Sequence, residues 1–152
     1  ALMKTLEDID EQRVDKIICL GDLVGYGPHP NEVIALIRRR EIPCIRGNYD
    51  ASVVDGDFTF IRNTAINSFA LPWTCEEVRV SNKYYLASLP TSLKYTFNGI
   101  NILFTHGSPN AINEYKAIIA LSLNLYPKIS ITIKEDKIKR IPPIVGVPAF
   151  FK

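Results

Sequence analysis

The sequence predicts an α/β fold on three observations. A short apolar run, Lys16-Ile17-Ile18-Cys19-Leu20, ends in glycine, as expected for a strand buried on both faces. An amphipathic helical stretch follows it, and then a second short apolar run, Ile42-Pro43-Cys44-Ile45-Arg46, which also ends in glycine. Strand, helix and strand in that order are the signature of a parallel α/β unit.

The chain opens with a helix, since Leu2, Leu6 and Ile9 share one face, although no N-cap residue introduces it. After the first strand, Pro28 and Pro30 interrupt regular structure, and Asn31 is placed to cap a helix carrying Val33, Ile34 and Ile37 inward. Arg38, Arg39 and Arg40 fall in its last turn, where cations complement the helix dipole. From about Ala51 to Pro90 the pattern reads as interrupted helices. Thr74-Cys75-Glu76-Glu77 has capping-box spacing, and Tyr84, Tyr85, Leu86 and Leu89 supply apolar surface. Leu93, Tyr95 and Phe97 then alternate with polar neighbours, Asn98-Gly99 is a two-residue hairpin turn, and Ile100 to Phe104 returns as a strand ending at His106. Further on, Ile129 to Ile133 alternates like a strand, and Pro142, Pro143 and Pro148 break regular structure toward the end of the chain.

The 152 residues suffice for one domain with a real core, and 47% hydrophobic with 22% charged residues excludes disorder. A dispersed net charge of +2 is no nucleic-acid footprint. No run reaches the length of a membrane span, and no basic head with an apolar run and small-residue cleavage site is seen in the first residues, so secretion is not expected. Three separated cysteines, Cys19, Cys44 and Cys75, suit neither a disulfide framework nor a zinc knuckle, so a cytoplasmic location is expected. Cys19 and Cys44 serve as small hydrophobes in their strands, and Trp73 as packing.

Three polar residues share one architectural position. Asp22 lies just beyond the first strand, Asn48 just beyond the second and His106 just beyond the hairpin return, each beside a glycine. Ligands collect at the carboxyl ends of strands in open α/β sheets, and glycine lets the backbone turn sharply there. Carboxylate, amide oxygen and imidazole together suit a divalent manganese, iron, nickel or zinc better than calcium. Asp22 by itself also reads as a loop carboxylate, Asn48 as an ordinary turn residue and His106 as a satisfied buried histidine. A nucleotide-binding module is disfavoured, because Gly21, Gly25 and Gly27 do not follow the GxGxxG spacing and prolines stand where its helix must open.

The runs Gly21-Asp22-Leu23-Val24-Gly25-Tyr26-Gly27-Pro28-His29-Pro30-Asn31-Glu32-Val33-Ile34 and Arg46-Gly47-Asn48-Tyr49-Asp50 resemble the calcineurin-like metallophosphoesterases, specifically their small prokaryotic branch. Trp73-Thr74, Leu89-Pro90, His106-Gly107-Ser108-Pro109 and Glu114-Tyr115 extend the resemblance to about residue 116. The resemblance implies a four-layer α/β/β/α sandwich, incomplete here, in one domain spanning residues 1–152 and divergent over 117–152. It implies a hydrolase acting on a small phosphodiester or phosphomonoester with a divalent metal pair, manganese first. Asp22 would bridge both metals, and Asn48 and His106 would bind the second. Two cations roughly 3.5–4 Å apart polarise phosphate oxygens and activate a water, and a bridging carboxylate offsets their repulsion.

The sequence departs from the family pattern in three places. Family members open with an Asp-x-His pair on a strand before a helix like the first one here, so that pair is expected to precede Ala1. They also carry a late Gly-His-x-His segment, whereas His29 and His106 are the only histidines in these 152 residues. Ile141 to Pro148 is loosely similar to the loop after those histidines. An impaired enzyme, or a noncatalytic remnant binding at most one metal weakly, are therefore the two expectations. Finally, Tyr49 stands where many members have histidine. A phenol with a pKa of about 10 is a poorer acid at neutral pH than an imidazole near 6.5, so Tyr49 is expected to donate a hydrogen bond on the substrate side, with Asp50 orienting the loop. His29, between two prolines, is expected at the solvent rim.

Overall fold

Helix α1, Leu2–Glu11, buries Leu6 and Ile9 on one face, as its spacing predicts, and no side chain caps its start. A computed structural model describes residues 1–59, 61, 63–97 and 99–112. It continues with α2, Pro30–Arg39, α3, Asn48–Asp55, α4, Ala65–Glu77, and α5, Val80–Ser88, and then with strands β1, Ser92–Phe97, and β2, Ile100–Thr105. The mixture of helices with parallel and antiparallel pairing is α/β, the class that the sequence predicts.

The two expected central strands are shorter than the sequence suggests. Their pairing is a single parallel bridge, Cys19 to Cys44, in which Cys19 N–H donates to Pro43 O at 2.8 Å and Ile45 N–H donates to Cys19 O at 3.1 Å. Pro43 has no N–H to extend the ladder, so the apolar runs approach side by side without becoming full strands. The approach still places the two glycine corners next to each other. All three cysteines are free thiols.

Helix α2 begins one residue before the expected cap. Pro30 occupies the first turn, where its missing N–H is harmless and its fixed φ suits the helix, and His29 precedes it as an exposed residue. Asn31 is therefore not the cap. It is buried inside the first turn and joins three other segments: its amide donates to Glu77 O at 2.9 Å, and its oxygen accepts from Arg79 N–H at 3.0 Å and from the Asn82 amide at 2.8 Å. Ile34 and Ile37 point into the core as predicted, and each such buried aliphatic contributes about 1.5–3 kcal/mol of burial. Arg40 pairs with Asp10 on α1, and Arg38 lies over the Tyr85 ring at 5.0 Å.

The middle of the chain is helical, as expected, with one misplaced boundary. Thr74 sits near the end of α4 rather than at a helix start, and its hydroxyl donates to Ala70 O at 2.6 Å. The actual break falls at Val78 and Arg79, which have extended ψ values. The true cap of α4 is Thr64, whose hydroxyl oxygen accepts from Asn67 N–H at 3.2 Å. Leu86 on α5 is fully buried, Tyr85 and Leu89 pack partly against the core, and Tyr84 is exposed. Trp73 is half-buried.

Strands β1 and β2 form the predicted antiparallel hairpin. The register from Phe97 opposite Ile100 to Ser92 opposite Thr105 leaves two residues at the turn, and Gly99 adopts φ +79° there. Leu93, Tyr95 and Phe97 share the less exposed face. Asn98, Glu114, Tyr115 and the expected strand at Ile129 to Ile133 lie outside the described residues. The hairpin joins the rest of the molecule near its open ends: Arg46 N–H donates to Pro90 O at 2.8 Å just before β1, and His106 comes directly after β2.

Candidate metal centre

The two glycine corners pack backbone against backbone. Gly21, at φ +90°, lies so close to the second corner that a Cβ on it would come within 2.5 Å of Gly47 N and 2.9 Å of Ile45 O. A Cβ on Gly47 would meet Asp22 Oδ1 at 2.2 Å. Asp22 itself has φ +55°, a left-handed conformation that aspartate adopts more readily than most residues.

Asp50 joins the corners. Its side chain is fully buried; Oδ2 accepts from Asp22 N–H and Gly47 N–H, both at 2.8 Å, and Oδ1 accepts from Leu23 N–H at 2.9 Å. The Gly47 bond is the backward half of a capping box at the start of α3. Burial pushes the Asp50 carboxyl up to about 6, with the Asp22 charge adding to the effect against three backbone donors that favour the anion. At neutral pH it is the anion that holds the turns. Asp50 thus positions the corners from beneath and presents no atom to solvent.

The structure brings Asp22, Asn48 and His106 together. His106 Nε2 lies 2.8 Å from Asn48 Oδ1 and 3.4 Å from Asp22 Oδ2, while Nδ1 lies 2.6 Å from Leu20 O. A carbonyl only accepts, so Nδ1 carries a hydrogen and donates it. In neutral imidazole that leaves the Nε2 lone pair facing two oxygens, an arrangement that a cation or an added proton makes favourable. Burial acts to lower the His106 pKa, but hydrogen bonding and charge from Asp22, with help from the Leu20 carbonyl, outweigh it and the net shift is upward. The second corner is fixed to the first by Tyr49 N–H, which donates to Asp22 Oδ1 at 3.0 Å.

This donor set fits a divalent transition metal: one carboxylate, one amide oxygen and one imidazole whose remote nitrogen is oriented by a backbone carbonyl. Among the described residues no group of three His, Cys, Asp or Glu side chains is disposed to hold a metal, so the convergence depends on the Asn48 amide. His29 does not join the site; it is exposed at the head of α2.

Residues 1–145 match the family model for calcineurin-like phosphoesterases. The chain belongs to that family. An uncharacterized protein of Methanocaldococcus jannaschii is 35% identical over 109 residues, covering 72% of this chain and 44% of that protein. The crystal structure of a hypothetical protein from Pyrococcus horikoshii superimposes with a TM-score of 0.65 at 27% identity, covering 72% of this chain and 50% of that one. A metallophosphoesterase from Sphaerobacter thermophilus gives a TM-score of 0.55 at 33% identity, covering 77% of this chain and 48% of that one. The chain therefore spans about half the length of these relatives.

Two contributors to the corner around Tyr49 carry no motif of their own in the sequence. Tyr26 places its hydroxyl 2.5 Å from that of Tyr49, and Tyr49 Oη donates to Asn67 Oδ1 at 3.4 Å. The Gly25-Tyr26-Gly27 run within the first loop is a signal for Tyr26. Asn67, from the middle of the chain, carries no sequence signal. No helix among the described residues is long and apolar enough to cross a membrane.

Proposed function

We propose that this chain carries part of a metal-dependent phosphoesterase centre, in which Asp22, Asn48 and His106 hold a divalent cation, manganese first, with iron, nickel or zinc as alternatives. The observation supporting this is the meeting of His106 Nε2 with Asn48 Oδ1 and Asp22 Oδ2, three atoms that a bound cation would satisfy together. The reaction class is hydrolysis of a small phosphodiester or phosphomonoester. When bound, the metal supplies charge neutralisation at the phosphoryl group and activation of water. Leu20 O fixes the His106 tautomer, Asp50 holds the corners in register, and the Tyr49 hydroxyl serves the substrate side as a hydrogen-bond donor by way of the Tyr26 hydroxyl 2.5 Å away. Three free cysteines agree with a reducing cytoplasm.

Within the 152 residues there is neither an Asp-x-His nor a His-x-His pair. That supports slow turnover by this polypeptide, or weak binding of one metal without turnover as the second reading. The test is hydrolysis of bis-p-nitrophenyl phosphate with added Mn, beside a relative carrying the full ligand set. The expected rate is far below that of the relative. A rate equal to it, and abolished by Asp22→Ala, would overturn the impaired reading and the noncatalytic one together.

A further inference from the structure

The two corners that contribute Asp22 and Asn48 each also carry a phenol, Tyr26 in the first loop and Tyr49 directly after Asn48. Their hydroxyl oxygens are 2.5 Å apart and their rings are tilted at 46° with centroids 5.1 Å apart. Tyr49 is fixed from several sides: its N–H is bonded to Asp22, its hydroxyl reaches Asn67 on α4, and its ring covers Gly25, where a Cβ would come within 2.5 Å of Cδ1. Tyr26 is different. It is 60% exposed, so its ring gains little from burial, and the loop beyond it through His29 is open to solvent, with nothing within 4 Å of a Cβ built on Gly27.

We propose that Tyr26 binds a phosphoryl oxygen of the substrate through its hydroxyl, with Tyr49 as the group that orients it. Either hydroxyl can be the donor across the 2.5 Å contact between Tyr26 and Tyr49, and the assignment takes Tyr49 as that donor. Tyr26 oxygen then accepts from Tyr49 and its own proton points outward, in a chain of hydroxyls that polarises the terminal donor. A neutral O–H on the loop that carries Asp22 adds direction to anion binding without adding charge that repels a metal. This inference rests on the metal-centre reading and adds to it a ligand for the substrate. It differs from a simple ring staple between two loops, in which the hydroxyl of Tyr26 is dispensable.

The experiment is calorimetric titration of the full chain, first with Mn alone and then with inorganic phosphate at saturating Mn, for wild type and Tyr26→Phe, with melting curves for both. The expected result is unchanged Mn affinity and melting temperature in Y26F with phosphate affinity lowered about tenfold or more, the size of a lost hydrogen bond to a charged group. Equal phosphate affinity in the two proteins would overturn the assignment and leave the metal centre standing. So would Mn binding by wild type with no uptake of phosphate, or a Y26F loss that extends to Mn affinity or the melt, which marks a structural staple. Absence of Mn binding by wild type would instead overturn the metal-centre reading, and this inference with it.

Discussion

Asp50 Oδ2 accepts a hydrogen bond from the Asp22 backbone N–H at 2.8 Å, and the same oxygen accepts from Gly47 N–H at the same distance. One buried carboxylate thereby holds together two turns that are separated by a whole helix in the sequence. Asp22 and Asn48 are presented by those turns, so the proposed metal centre depends on a group that never faces it.

Replacing Asp50 by asparagine should be destabilising. Both carboxylate oxygens receive backbone N–H donors, so whichever way the amide is flipped its NH2 group meets a donor. A buried donor left unsatisfied costs about 1–3 kcal/mol. Urea denaturation of Asp50→Asn is expected to show a loss of that size, together with weaker Mn binding because the corners loosen. Unchanged stability would mean the three-donor arrangement is not needed.

Gly47→Ala should damage the site more selectively than its small size suggests. The added Cβ would meet Asp22 Oδ1 at 2.2 Å and Asp22 N at 2.3 Å, so the carboxylate must leave its place or the corners must part. Mn affinity is expected to fall at least about tenfold, a loss of one metal-ligand contact being of that order or larger. Gly56→Ala is the comparison: its Cβ meets nothing within 4 Å, and its φ of +67° restricts the effect to backbone strain at the end of α3. Equal Mn affinity in wild type and Gly47→Ala would remove the steric argument.

Asn31→Ala should destabilise the chain without touching the metal centre. The substitution strands the Arg79 N–H and the Asn82 amide, and buried groups in such a network are worth about 1–3 kcal/mol each. A double-mutant cycle with Asn82→Ala should be non-additive, since the two amides bond directly at 2.8 Å. Additive losses would show that the pair does not couple.

How far the sequence could be read is explained by these same residues. Local signals with a unique physical meaning were legible: the Asn98-Gly99 spacing that sets the hairpin register, the apolar face of α1, and the three glycine-flanked polar residues that the fold gathers. Asn31 departs from the expected cap because an asparagine near a helix start has two uses. Pro30 takes the helix opening, and the amide serves a long-range network with Glu77, Arg79 and Asn82 that no local pattern announces. Thr74 departs from the expected helix start for a related reason, since its capping-box spacing falls within a helix already capped by Thr64. The two central strands contracted to one bridge because Pro43 stands in one of them. The Tyr26 to Tyr49 contact joins residues from different loops and emerges only when the corners are packed.

The protonation state of His106 should link stability to pH. Its folded pKa is raised above the usual 6.5, so the stabilisation from its contacts with Asp22 and Asn48 is fully present below 6.5 and is lost as pH rises through the folded value. In metal-free buffer the melting temperature is expected to decline across that interval in wild type and to lose this decline in His106→Gln. Mn competes with the Nε2 proton, so Mn affinity should rise over the same interval. A melting temperature that is flat from about pH 6 to 8 in wild type, or the same slope in both proteins, would contradict the assignment.

The central claim is that Asp22, Asn48 and His106 form one cation site, and titration of Mn into the metal-free full chain measures it most directly. The predicted result is saturable binding by wild type that is weakened at least about tenfold in each of Asp22→Asn, Asn48→Ala and His106→Gln, with folding retained by circular dichroism. Binding by wild type that is unaffected by all three substitutions, or no binding at all by the folded chain, would contradict it.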